Sequence, residues 1–365
     1  MENNYKLTNL EAITLIIVIM INKLILNIPY YIVNLVGNGA IVNIFYIGII
    51  DFIALLIIIK LFDKFQGKDI LDISEFLVGS KFKFLVGIIS IALLLLVAFI
   101  TLLDFSNVLH TIYFSNFPMI FILALFITGI FFANIIGFKS LAHTIQFIVP
   151  ISLASIFITF IASFKNFSIV NLTPVLGNNL YTTFGLGLAN TFAMYIIVYI
   201  YFLKPLLQNE NSFKKISIIS YIISFILLLI TVIPLLTLFN ANFGNEPINS
   251  LFLLSRQVEF GTFIQRVDAI FIFLWILSIF SYLSFIIFLI NRILKKMFNI
   301  FNEKMLTYSS CSILLGLTLI PLNIANIHFI EDTIYRYVVL SFIFGLGIII
   351  LILANFKNRK KGLKT

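Results

Sequence analysis

Long apolar runs separated by short polar, mostly basic segments repeat along the whole chain. A hydrocarbon core of ~30 Å takes roughly 20 helical residues to cross, and ten windows meet that length. They run Leu10 to Tyr31, Ala40 to Leu61, Phe84 to Leu103, Phe117 to Ile136, Leu141 to Phe164, Phe184 to Leu203, Ile216 to Phe239, Phe263 to Ile290, Leu306 to Ile324 and Ile334 to Phe356. The pattern predicts an all-α membrane protein of about ten transmembrane helices. It forms a single transmembrane domain over residues 1–365, with a basic tail at 357–365.

Two linkers are longer than the rest and carry helical amphipathic spacing. After Gly67, Ile70, Ile73 and Leu77 fall on one face and Asp69, Asp72 and Glu75 on the other, as a helix lying at an interface requires. Between spans 7 and 8, Leu251, Leu254 and Val258 repeat that spacing. Each linker follows the second span of a five-span half, and the two lie on opposite sides of the membrane. An inverted 5+5 repeat, residues 8–165 and 180–356, accounts for this; two unrelated loops would be the plain alternative.

Charge fixes the orientation. With the N-terminus cytoplasmic, 19 of the 24 Lys and Arg fall in inside segments; Lys165, Arg256, Arg266 and Arg336 fall outside, and Lys23 lies within a span. Such a bias predicts both termini inside. The net charge of +9 is spread over these loops instead of forming one patch, so no nucleic-acid partner is expected. With 61% hydrophobic and 11% charged residues, the apolar surface must meet a lipid bilayer. The single cysteine, Cys311, excludes an intrachain disulfide framework and a cysteine metal site. No phosphate-binding loop, dinucleotide fingerprint, nucleophile elbow or HExxH occurs, so neither an enzyme nor a cofactor is indicated.

An ionisable group inside a span costs ~2.5–3.5 kcal/mol on insertion scales and is a functional candidate for that reason. Lys23 lies ~12 Å and Asp51 ~16 Å from the outer ends of spans 1 and 2. Consecutive antiparallel helices usually touch, so a Lys23–Asp51 ion pair is expected, serving either helix register or ligand and proton binding. Asn22 and Asn27 flank the lysine, and Pro29 follows, so a bent or broken first helix is expected. In span 6, Gly185 and Gly187 allow close packing, while Asn190, Thr191 and Tyr195 supply polar atoms. Asp104 and His110 read as a solvated end of span 3. His328, Glu331 and Asp332 can be drawn as an external metal site, but their spacing matches no recognised ligand set, and no metal is expected.

Three stretches carry a family likeness: IPYYIV with the following KFQGKDILDISEFLVG, FKSLAHTIQFIVP entering span 5, and LLSRQVEFGTFIQRVDAIFIFLWILSIFSYLS into span 8. They resemble the spore germination permease family, the integral B-type subunits of nutrient germinant receptors, within the amino acid, polyamine and organocation transporter superfamily. The resemblance implies five-helix inverted repeats and a ligand site between discontinuous helices 1 and 6. It also implies a small-molecule germinant, usually an amino acid, A-type and C-type partner subunits, and residence in the inner spore membrane. Where the family pattern has glycines in span 1, this chain has Asn22, Lys23 and Leu24; in span 6 a glycine and an acidic residue are replaced near Ile196 and Val198. The Lys23 ammonium then either meets a ligand anion or fills the cation position of coupled transporters. Two functions follow as expectations: a receptor subunit that triggers germination, or a proton-coupled amino acid permease, with Asn22, Lys23, Asn27, Asp51, Asn190, Thr191 and Tyr195 as candidate binding or coupling residues.

Overall fold

The break in the first span organises the molecule. In a computed structural model, which describes residues 5–239, 255, 267–300, 302–320, 326 and 329–362, α1 (Asn9–Ile25) stops and α2 (Ile28–Val36) starts two residues later. Pro29 has no amide hydrogen to give to a carbonyl four residues back. It sits in the first turn of α2, where none is needed. At its other end α1 is fixed by a reciprocal cap: the Thr8 hydroxyl accepts from the Glu11 amide, and the Glu11 carboxylate accepts from the Thr8 amide at 2.8 Å.

The remaining helices are α3 (Ala40–Phe62), α4 (Ile70–Val78), α5 (Ser80–Ile112), α6 (Met119–Ile136) and α7 (Phe138–Ser163). They are followed by α8 (Ile196–Leu203), α9 (Phe213–Phe239), α10 (Val267–Phe298), α11 (Glu303–Thr318), α12 (Arg336–Leu340) and α13 (Ile348–Gly362). Span 6 opens irregularly, with wide π turns at Tyr181–Gly185 and tight 3-10 turns at Leu186–Met194, and bends by 42° before α8. Among the described residues seven helical stretches are long and apolar enough to cross a membrane, eight with the bent pair counted as one. This is a multi-pass, all-helical membrane protein. Of the other two expected spans, α1 has 17 residues and α11 has 16, both short of the ~20 that a crossing takes.

Packing explains which apolar runs lie inside. α1 is apolar all round and buried from Thr14 to Ile25, because α7, α9 and α10 enclose it. α3 shares α9 with it and lies against the Leu186–Met194 turns as well. Outward-facing Ile49, Phe121, Leu125 and Phe147 leave the apolar surface that lipid must cover.

α4 is the amphipathic linker helix. Ile70 and Ile73 are buried against α5 and α13, and the Asp69 side chain caps the amides of Leu71 and Asp72. Its acidic face is only partly solvated, because Lys296 of α10 reaches Asp69 at 2.5 Å and Asp72 at 2.6 Å. Burial holds the Asp69 carboxyl above its ordinary value despite this lysine. For Asp72, burial pushes upward too, but Lys296 and the capping bonds outweigh it and the carboxyl is lowered. The second amphipathic linker, around Leu251, Leu254 and Val258, lies outside the described residues, as does His328.

Candidate functional site

At the break between α1 and α2 the chain gathers a buried polar cluster. Lys23, in the last turn of α1, places Nζ 3.1 Å from Glu331 Oε1, with the two side chains 0% and 1% exposed. Asn27, in the break, donates through Nδ2 to Asp104 Oδ2 of α5 at 2.6 Å and to Glu331 Oε2 at 3.0 Å. Tyr31, on α2, donates its hydroxyl to the same Glu331 oxygen at 3.2 Å. The Lys23 ammonium also lies over the Tyr335 ring, 4.9 Å from its centroid. Side chains at 23, 27 and 31 keep a spacing of about one turn across the break, and all three reach Glu331.

Asn22 sits behind the lysine and donates through Nδ2 to Val18 O at 2.7 Å and to the Ser278 hydroxyl of α10 at 3.1 Å; its side-chain Oδ1 has no partner among the described residues. From the 42° bend of span 6, the Tyr195 hydroxyl donates to Ile19 O at 2.5 Å, one turn before Lys23. Asn190 does not join this group. It donates to Asn43 Oδ1 at 2.8 Å, and Asn43 donates onward to the carbonyls of Thr183 and Gly187. Thr191 bonds the Leu188 carbonyl of its own turn. Gly187 is required where α3 comes so close, since a Cβ there would lie 2.3 Å from Asn43 Nδ2.

The expected Lys23–Asp51 pair does not form. Lys23 turns to Glu331, while both oxygens of the fully buried Asp51 have no hydrogen-bond partner among the described residues, although α1 and α3 both pack on α9. Asp104 is likewise no solvated helix end. It is 5% exposed and bound by Asn27. Glu331, drawn above with an external loop, is buried on the face shared by Tyr335 and Val339. That spacing of four and eight was a readable signal, because it continues the apolar face of the last span upstream of Ile334. Asp104 stands between Leu103 and Phe105 inside an apolar run, which gave the same kind of hint.

Among the described residues the cluster holds two carboxyls, one ammonium and an amide that bridges the carboxyls. Groups of this kind can exchange a proton or trade the internal ion pair for one with another charged group. None of these exchanges needs a covalent step, so the chemistry on offer is recognition.

No curated protein matches the chain. A family model described as spore germination protein, the spore permease family, matches residues 6–327. That match takes in the broken first helix, the bent sixth span and Asp104, and stops just before the turn that carries Glu331. The chain belongs to the spore permease family of spore germination proteins.

Proposed function

We propose that this protein is the integral membrane subunit of a nutrient germinant receptor, and that it binds a small germinant, an amino acid by class, at the Lys23–Glu331–Asn27–Asp104 cluster. The observation that carries the reading is a fully buried, charge-rich site built on a helix break inside a membrane protein, where uncompensated polar atoms are costly. An amino acid has the complementary groups: a carboxylate for Lys23 and an ammonium for Asp104 or Glu331. Binding replaces the internal pair, frees Glu331 and the last span from α1, and passes that shift to A-type and C-type subunits in the inner spore membrane. Both termini are then cytoplasmic.

The architecture behind this reading is ten spans in a 5+5 inverted repeat with discontinuous helices 1 and 6. In its favour, α3 packs on α9, α5 on α10 and α6 on α11, so the second, third and fourth members of each half lie against their counterparts. Site roles for Asn22 and Tyr195 follow from their bonds around Lys23, and for Asn190 and Thr191 from their place in the span 6 turns. Asp51 is retained as a candidate coupling carboxyl.

The test is germination of spores carrying Lys23→Met or Glu331→Gln against a panel of amino acids, with the amount of each variant in the membrane measured alongside. The receptor reading expects a lost or altered germinant response at normal protein levels. An unchanged response in both variants would remove the cluster from germinant recognition. A proton-coupled permease is the second reading, favoured by the amide-bridged carboxyls Asp104 and Glu331, between which a proton can be taken and released. Proton-driven uptake of a labelled amino acid into vesicles holding this chain alone would decide for it.

A further inference from the structure

A second, unrelated site lies at the basic end of the bundle. The inner ends of α6, α7, α10 and α11 enclose a cavity of about 370 Å³. Four charged side chains line it: Arg292, Lys295 and Lys296 of α10, and Glu303 of α11. Lys295 is 3.2 Å from Glu303, and Lys296 is taken by Asp69 and Asp72 of α4. Arg292 differs: its guanidinium makes no ion pair or hydrogen bond among the described residues, and its Nε is buried without a partner. The carboxylates of Asp69 and Asp72, which Lys296 already holds, also act on it.

A buried guanidinium nitrogen without an acceptor is costly, and a planar fork of donors is suited to an oxyanion. The walls fit such a guest. Asn134 and Thr307 border the cavity with polar atoms, while Phe138 and Phe288, stacked 3.9 Å apart, close an apolar side. Glu303 is paired with Lys295 and the two aspartates of α4 with Lys296, so Arg292 is the cation lining the cavity that has no ion pair among the described residues.

We infer that this cavity is a phosphate-binding site in which Arg292 takes the oxyanion. The phosphate comes from an inner-leaflet lipid headgroup or from a soluble phosphate compound; both present the same tetrahedral oxyanion at the depth where α10 ends. Occupancy ties the inner ends of α10 and α11 together without any role for Lys23 or Glu331.

The experiment uses the purified full chain and reads its thermal unfolding midpoint during two titrations: inorganic phosphate in lipid-free detergent, and phosphatidylglycerol against a neutral glycolipid in nanodiscs. Saturable stabilisation by inorganic phosphate, with competition by sulfate, assigns a soluble phosphate; stabilisation confined to phosphatidylglycerol assigns the lipid. In either case Arg292→Gln weakens apparent affinity about tenfold or more, and Arg292→Lys, which keeps the charge but loses the fork, falls between. Should Arg292→Gln fail to fold, Arg292→Lys and sulfate competition on the native chain still decide. No saturable response to either ligand, or a response that Arg292→Lys leaves unchanged, overturns the assignment.

Discussion

Two buried acidic groups in this protein meet opposite circumstances. Glu331 is held by Lys23, Asn27 and Tyr31, three side chains of one broken helix. Asp51 lies in an intact helix, where neither carboxyl oxygen has a partner among the described residues. Ser217, Ser220 and Ser224 of α9 share its situation: their hydroxyls are buried and without partners among the described residues, on the helical face that also carries Tyr221, which donates to Gly48 O of α3 at 2.7 Å. A broken helix can turn several polar side chains toward one carboxylate. At Asp51 no side chain among the described residues is turned in this way. The contrast separates a site organised around charge from an interface that only contains a polar residue.

The largest effect is expected from Lys23→Met. It removes the ammonium that pairs with Glu331 inside the bundle and should lower stability by about 3–5 kcal/mol, measurable as thermal unfolding in detergent, with the germination response lost. The double change Lys23→Met with Glu331→Leu removes both ends of the pair and should recover most of that stability without restoring germination. A double variant as unstable as the single one would mean that the pair does not set the stability of the cluster.

Asp51→Leu should act in the other direction. Removing a buried carboxyl that makes no hydrogen bond among the described residues should leave stability unchanged or raise it by about 1–3 kcal/mol. A strong loss of stability or of germination would show that Asp51 meets a partner in the working membrane, and the contrast with Glu331 would collapse.

The smallest effect concerns α4, where a charged pair is only partly covered. Because Lys296 and the capping bonds more than offset burial, the folded-state value of Asp72 is lowered. Its contribution is therefore fully present above the ordinary aspartate value of 3.8 and is lost as pH falls through the lower folded value. Asp72→Asn should cost about 1 kcal/mol at neutral pH. Unfolding curves of the variant and the native chain should converge as acid protonates Asp72. Asp69, with a raised value, works in the opposite sense and is common to both proteins. A gap that stays constant with pH would assign Asp72 to capping geometry alone.

Much of the helical framework was legible because lipid imposes a simple rule. Each apolar run must satisfy its own backbone, so run length announces a helix, and Pro29 announces an interruption within the first one. The candidate residues Asn22, Lys23, Asn27 and Tyr195 did come together, since three share a helix end and the fourth sits on the bend that packs beside it. The partners of Lys23 were misread. Sequence adjacency suggested Asp51 of the next helix, whereas the acid that arrives is Glu331, 308 positions away along the chain.

The sequence by itself determined that this chain lives in a membrane as a bundle of helices, that its first helix breaks near Pro29, and that a lysine must be accommodated in the apolar interior. Those outcomes follow from composition and local backbone chemistry. Only the tertiary structure decided that Glu331 and Asp104 meet at that break, and that, among the described residues, the Asp51 carboxyl and the Nε of the cavity-lining Arg292 have no hydrogen-bond partner. Helices of similar apolarity give no local preference for one neighbour over another. Pairing among them is set by shape and by the few polar groups that must find each other, and both belong to the assembled bundle.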